Sequence, residues 1–274
     1  MIKEIYSRDA AFQKFQVLKT NRNKRHRYGE FFVEGVRNIN QAVENGWQIA
    51  SFLYARGRKL SGWAGGLLDS VPTQVNYRLS PELLEELSGK EDVSELLAVV
   101  KMRPSDLGLF TLSENPLLVL FDRPSNRGNL GTLLRSCDGL GADGLILTGH
   151  GVDLYDPEVV TASMGSFFRV PAVQAENSQV AEFLARCRAR YGNFKTVGTT
   201  AHRQHPIYEQ DLTGPVLLML GNETDGLSYG FKQSCDVLCT IPMAEDSSAS
   251  SFNVACAGTV LLYEAARQRA CAEA

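Results

Sequence analysis

The chain has 274 residues, 44% hydrophobic and 22% charged, which is long enough for two separate cores and too apolar for a disordered polyelectrolyte. Its formal net charge of -3 excludes a generic polyanion binder, so any contact with nucleic acid has to come from locally clustered cations. Six cysteines, Cys137, Cys187, Cys235, Cys239, Cys256 and Cys271, form no C-x-x-C pair and no disulfide-like framework; core thiols are expected, and no metal site.

The opening MIKEIYSRDAAFQKF has no apolar h-region, and no apolar run approaches the roughly 20 residues that span a bilayer, so a cytoplasmic protein is expected. KTNRNKRHR follows, in which Lys19, Arg22, Lys24, Arg25 and Arg27 stand with no acid among them. Such a run reads either as a phosphate footprint or as solvated surface. A strand at 31–34, a helix at 36–45, a strand at 51–54 and a closing strand at 96–102 predict a small α/β domain over residues 1–103. Residues 104–115, with Pro, Ser, Asp and Gly, read as a linker.

From 116 to 274 strands and helices alternate. The pattern predicts strands at 116–121, 144–148, 168–173, 196–199, 216–220 and 237–241, and helices at 130–141, 157–164, 180–191, 229–234 and 252–269. A parallel sheet with helices on both faces accounts for that order. Within it, PLLVLFDRPSNRGNLGTLLRSCDGLG runs from a buried strand through a Gly-rich turn into a helix. Ligands collect at such carboxyl ends of strands. Gly128 and Gly131 permit close backbone approach, Asn129 offers an amide and Arg135 a permanent cation. A second apolar strand, in VLLMLGNETDGLS, ends abruptly in Gly221, Asn222, Glu223 and Gly226. The third block, TIPMAEDSSASSFNVACAGTVLLYEAARQR, reads as a short strand closed by Pro242, a Ser-rich loop and a long helix starting near Ser251.

These three blocks, N-x-G-x-x-x-R, LGNE-x-x-G-L and IPM with S-x-N-V before a terminal helix, resemble the SpoU/TrmH branch of the SPOUT RNA methyltransferases in order, spacing and position. FFVEGVRNINQAVENG at 31–46 is similar to the L30e-like substrate-binding domain that often precedes that catalytic domain. The first block holds two asparagines, and only Asn129 precedes Arg135 by the usual interval; Phe252 stands where the family commonly has Leu. The resemblance implies an α/β SPOUT sheet whose carboxy-terminal segment is threaded into a trefoil knot, a cofactor, S-adenosylmethionine, held in the knot, and a homodimer formed through this region. It implies 2′-O-methylation of ribose in 23S-type ribosomal RNA, with a tRNA ribose methyltransferase and a non-catalytic RNA-binding protein as the alternatives.

By the same resemblance Asn129, Arg135, Glu223, Ser251 and Asn253 are the expected catalytic residues, and Thr199, Gly221, Asn222, Ile241, Met243 and Ser251 the expected cofactor contacts. Beside an RNA-modifying domain, Lys19, Arg22, Lys24, Arg25 and Arg27 become the expected RNA contacts. Plainer roles stand next to these: an ion pair of Arg135 with Asp138 three residues on, a helix cap at Ser250 or Ser251, and loop amides around Glu223. A guanidinium with a pKa above about 12 is no conventional base, so Arg135 suits charge stabilisation. Competing chemistries are weak. His26, His150, His202 and His205 with Ser163 or Ser166 lack a G-x-S-x-G elbow, and neither G-x-G-x-x-G at the first turn nor a Walker A run occurs.

Overall fold

The computed structural model describes residues 1–200 and 205–272, so His202 lies outside the described residues. The chain opens with β1 (Ile2–Ile5), α1 (Ala10–Thr20), α2 (Arg22–Tyr28), β2 (Glu30–Glu34), α3 (Val36–Glu44) and β3 (Ile49–Ala55). It continues through α4 (Gly62–Ser70), β4 (Asn76–Leu79), α5 (Pro81–Leu87) and β5 (Leu96–Lys101). Next come β6 (Leu117–Asp122), α6 (Arg127–Gly139), β7 (Gly144–Thr148), α7 (Pro157–Ala162), β8 (Ala172–Ala175), α8 (Asn177–Arg190) and β9 (Lys195–Thr199). The described chain ends with β10 (His205–Pro206), β11 (Val216–Leu220), α9 (Tyr229–Ser234), β12 (Val237–Thr240) and α10 (Val254–Ala272).

Two compact units result, and they do not divide the chain contiguously. One comprises Met1–Pro104 together with Asp153–Arg169; the other comprises Ser105–Val152 and Val170–Ala274. The first is built on a five-stranded sheet in the order β1-β4-β3-β5-β2, in which β5 runs antiparallel to both its neighbours. Side chains alternate across a strand, and β2 shows what that does. Phe32 enters a core with Phe12, Phe15, Leu18, Leu53, Leu83 and Leu87. Phe31 points the other way, into a ring cluster with Trp47, Tyr155, Phe167 and Phe168 at centroid distances of 5.0 to 6.3 Å. Three of those four rings come from 153–169, so that segment supplies the second face of the first sheet. Each fully buried ring is worth about 1.5–3 kcal/mol in transfer alone.

The second unit is a seven-stranded, wholly parallel sheet in the order β10-β12-β9-β11-β6-β7-β8. β6, β7 and β11 are buried along their whole length, as strands covered on both faces must be. On one face Leu118, Leu120, Leu217 and Met219 pack with Val180, Phe183 and Leu184 of α8. On the other, α10 lies so close that a Cβ on Gly258 would stand 2.6 Å from Leu133 Cδ1 and 2.9 Å from Leu220 Cδ1.

Several expectations are corrected. Residues 104–115 are no bare linker: Leu107 and Phe110, on and beside a single 3₁₀ turn, are built into the core of the second unit. The strand expected at 168–173 begins at Ala172, because Ser166–Phe168 forms a 3₁₀ turn whose rings belong to the first unit. β1, α4, β4 and α5 have weak periodicity, and the sequence pattern does not announce them. Cys137, Cys187 and Cys239 are buried, but Cys256 and Cys271 are exposed on α10, so the core reading fails for those two.

Candidate active site

β6 delivers the chain to Asp122, whose buried carboxylate accepts the Thr148 hydroxyl at 3.0 Å and the Ser228 amide at 2.8 Å. Arg123 follows in a left-handed conformation, φ 52°, and donates to Asp122 at 3.2 Å and to the Gly226 carbonyl at 2.8 Å. One side chain thus fastens the loop after β11 to the end of β6. Asn126 then caps α6, its Oδ1 accepting the Asn129 amide at 2.9 Å. The two asparagines of this turn have different work: Asn126 starts the helix, and Asn129, in its first turn, gives its side chain to partners from other segments.

The loop after β11 is closed by its backbone. A Cβ on Gly221 would lie 2.1 Å from both the Gly226 carbonyl carbon and the Leu227 nitrogen, so only glycine fits. Asn222 and Gly226 exchange backbone hydrogen bonds of 3.1 and 3.0 Å. The Asn222 side chain donates to the Arg123 carbonyl at 2.8 Å and accepts the amides of Thr224 and Asp225. Both ends of its amide hold the loop, which leaves the expected cofactor contact to its backbone.

Glu223 is the residue this loop presents. Its carboxylate accepts the Ser125 amide at 3.1 Å, the Ser125 hydroxyl, and Nδ2 of Asn129 at 3.2 Å. Burial pushes its pKa up, but the hydrogen bonds from the Ser125 hydroxyl, its own backbone, Asn129 and the Ser125 amide outweigh that and hold it below the ordinary carboxylate value. Ser125 escaped the sequence reading, although a Ser-Asn pair directly ahead of a helix is a capping signal.

Asn253 completes the chain of contacts. Its Nδ2 donates to Oδ1 of Asn129 at 3.0 Å, while its Oδ1 accepts the Ala255 amide at 2.9 Å at the start of α10. The polarity of this run is forced. An ionised Glu223 only accepts, so Asn129 must turn its NH2 toward it; that leaves the Asn129 oxygen for Asn253, whose own oxygen meets helix amides. The cap of α10 is therefore Asn253, and neither Ser250 nor Ser251 fills that place. Ser251 is exposed in the loop just before it. Arg135, further along α6, is exposed and makes no hydrogen bond or ion pair among the described residues, so the plainer alternative, a pair with Asp138, is not formed.

The expected cofactor residues lie at the neighbouring strand ends. β12, β9 and β11 are adjacent and parallel, so Thr199, Gly221 and Ile241 leave the sheet at the same end, one strand apart. Thr199 is tied in by its hydroxyl, which donates to the Met219 carbonyl at 3.1 Å, and Ile241 and Met243 are half-buried. β6 borders β11, which places the Asn129–Glu223 pair along the same edge. Ser163 offers no nucleophile: it is buried and its hydroxyl donates to the Val160 carbonyl at 2.7 Å.

The expected RNA contacts separate into two groups. Arg25 is only 2% exposed; it donates to Asp153 at 2.7 Å, to Asp156 at 3.3 Å and to the carbonyls of Leu18 and Lys19, so it is a core ion pair of the first unit and leaves the set. Lys19 leaves with it, its ammonium donating to the Leu87 carbonyl and lying 5.5 Å from the Phe32 ring. Burial there pushes its pKa down, outweighing the pull of Glu34. Arg22 and Arg27 are exposed and Lys24 is half-buried on α2. Among the described residues no group of three or more His, Cys, Asp or Glu is placed to hold a metal ion, and no helix is long and apolar enough to cross a membrane.

Residues 116–263 match the model of the SpoU rRNA Methylase family, and residues 9–98 match that of the SpoU L30e-like domain. The chain belongs to the SpoU rRNA methylase family. It is 46% identical over 269 residues to a 23S rRNA (uridine(2479)-2'-O)-methyltransferase of Streptomyces viridochromogenes, covering 97% of this chain and 93% of that one. The crystal structure of the SpoU methyltransferase AviRb from Streptomyces viridochromogenes in complex with AdoMet matches with a TM-score of 0.91 at 47% identity, over 96% of this chain and 99% of that one. A 23S rRNA (guanosine-2'-O-)-methyltransferase RlmB of Pseudomonas putida is 35% identical over 78% of this chain and 77% of its own length. The SpoU methylase match runs unbroken through 153–169, the segment that packs into the first unit.

Proposed function

We propose that this SpoU-family protein transfers a methyl group from S-adenosylmethionine to a ribose 2′-hydroxyl in 23S-type ribosomal RNA. The observation that carries the reading is the hydrogen-bonded run Ser125–Glu223–Asn129–Asn253, which ties three segments of the chain into one polar edge, with the exposed Arg135 further along α6. The names of the relatives, each a 23S rRNA ribose methyltransferase, support the substrate class.

The residues at the strand ends suit the cofactor. Thr199, Gly221, Ile241, Met243 and Ser251 offer backbone groups, a half-buried apolar pair and a hydroxyl, with no charge among them that a sulfonium would have to meet unpaired. When bound, S-adenosylmethionine supplies an electrophilic methyl group. The protein's share is positioning and electrostatics. A 2′-hydroxyl is a poor nucleophile at neutral pH, so the ribose must be aligned and the charge growing on its oxygen offset. Arg135 provides a fixed cation for that charge, and Asn129, held in one orientation by Glu223 and Asn253, fixes the edge against which the ribose is set. Ser251, with its hydroxyl exposed, orients the incoming nucleotide. Arg22, Lys24 and Arg27 bind RNA phosphates.

The same reading extends to the trefoil threading of the carboxy-terminal segment, a cytoplasmic location, and a homodimer formed through this region. Val260 and Tyr263, 40% and 59% exposed on α10, favour the dimer. The test is transfer of labelled methyl from S-adenosylmethionine to unmodified 23S rRNA and to tRNA, with Arg135→Ala as control. Label in 23S rRNA at an alkali-resistant linkage, absent in the control, is the expected result. Label in tRNA alone would move the substrate, and label in neither would remove the enzymatic reading.

A further inference from the structure

The first unit carries a second cluster of cations that the reading above leaves unused. β1, β4 and β3 are parallel neighbours, with Ile5, Leu79 and Ala55 in register at their last positions. The ladder runs one step past those residues. The Ser80 amide donates to the Ile5 carbonyl at 3.3 Å and the Arg56 amide to the Leu79 carbonyl at 2.7 Å, which fixes Tyr6, Ser80 and Arg56 side by side. Ser80 is short, and Arg56 reaches across the end of β4 to lie 5.1 Å from the centroid of the Tyr6 ring. Tyr6 is nevertheless 63% exposed. Arg58 and Lys59 follow in the same exposed turn, and no acid occurs from 49 to 68. Of the acids near this edge, Glu4 pairs with Arg78, Glu86 with Arg8 and Glu95 with Ser61, while Glu82, two residues past Ser80, is exposed and bonded to the Ser80 side chain.

An exposed aromatic face held beside three cations is the chemistry that takes an unpaired base and its phosphates. We infer that Tyr6, Arg56, Arg58 and Lys59 form a second RNA contact, in which a base stacks on Tyr6 and the three cations meet the adjoining phosphates. The inference rests on the assignment of an RNA substrate.

The contact lies at the far end of the sheet from α2. β5 is antiparallel to both β2 and β3, so β2 and β3 point the same way. α2 precedes β2 and sits at its amino end, whereas Arg56 follows the carboxyl end of β3. Strands of this length separate the two ends by roughly 20 Å at about 3.3 Å per residue. An RNA that touches both Arg27 and Arg56 must span that distance, so the two contacts are made by nucleotides several positions apart along the strand or brought there by folding.

The experiment is filter binding of unmodified 23S rRNA to the full chain across a potassium chloride series, with methyl transfer measured on the same proteins. The triple variant Arg56→Gln, Arg58→Gln, Lys59→Gln should lower the slope of log affinity against log salt by about 2, since each lost phosphate contact removes about 0.7–0.9. Its KM for RNA should rise about tenfold with kcat at saturating RNA unchanged, as for lost binding shared by ground and transition states. Tyr6→Ala should weaken binding by roughly tenfold and Tyr6→Phe should restore it, because stacking needs only the ring. An unchanged salt slope in the triple variant, or a Phe variant as weak as the Ala variant, overturns the inference. A wild-type protein that binds 23S rRNA without methylating it would defeat the enzymatic assignment, and the binding series would still decide this surface.

Discussion

Asn253 donates through Nδ2 to Oδ1 of Asn129 at 3.0 Å while its own Oδ1 caps α10, so one side chain couples the start of the last helix to the first turn of α6. The two jobs can be separated. Asn253→Ala loses both and should cost about 1 kcal/mol of stability, the usual worth of an N-cap. Asn253→Asp keeps a good cap but has no donor for Asn129, so melting should stay close to wild type while turnover falls by roughly a hundredfold, the cost of misplacing a group by about 1 Å. Thermal melts and single-turnover methyl transfer on the two variants check this, and normal turnover in the Asp variant would remove Asn129 from the mechanism.

Arg135 is exposed and without a partner among the described residues, so stability does not depend on it. Arg135→Ala should leave the melting temperature and S-adenosylmethionine binding unchanged and lower kcat by about two orders of magnitude, as removal of a transition-state donor does. Calorimetric cofactor titration beside steady-state kinetics makes the comparison. A loss confined to KM would make Arg135 a plain RNA contact.

The Glu223 carboxylate titrates below its ordinary value, since its hydrogen bonds outweigh burial. A depressed folded pKa gives stability that is complete above the unfolded value, about 4.3, and is lost as pH falls through the lower folded one. Wild type should therefore melt higher than Glu223→Gln at neutral pH, and the difference should shrink below about pH 4. Melting curves from pH 7 to pH 3 read this directly; a difference that grows on acidification would contradict the hydrogen-bonding scheme.

The basic stretch before β2 divides by burial. Arg25→Ala leaves Asp153 and Asp156 facing an empty place and should destabilise by about 3–5 kcal/mol, whereas Arg22→Gln, Lys24→Gln and Arg27→Gln together should leave melting unchanged and lower the RNA salt slope by about 2. Arg25→Lys should not rescue, because an ammonium cannot reproduce a fork that meets two carboxylates and two carbonyls. Equal effects on melting from both sets would erase the distinction.

Much of the second unit was legible because its strands are buried on both faces. Runs such as LLVLF and VLLML leave no other reading, and β7, β11 and α9 fall on the expected residues. Short elements of the first unit were not: β1 has four residues and α4 contains three glycines, so neither shows a period. Charge alone also could not separate Arg25 from Arg27, two positions apart on one helix. What separates them is Asp153 and Asp156, some 130 residues later, and no local pattern announces that pairing. That Asn129, Glu223 and Asn253 meet is legible because motif order carries long-range information that propensity does not, while Ser125 and Arg123, inside the same motif, carry only a turn signal.

The return of 153–169 to the first sheet has a consequence for how this protein can be taken apart. A fragment cut at residue 104 would keep the whole five-stranded sheet yet lose Tyr155, Phe167 and Phe168 from above Phe31, and both counter-charges of Arg25. The amino-terminal half is thus not a detachable module. An exchange of this region between relatives that leaves the 153–169 segment behind would transplant an unfinished protein, and gene fusions that respect only the linear boundary would fail for that reason.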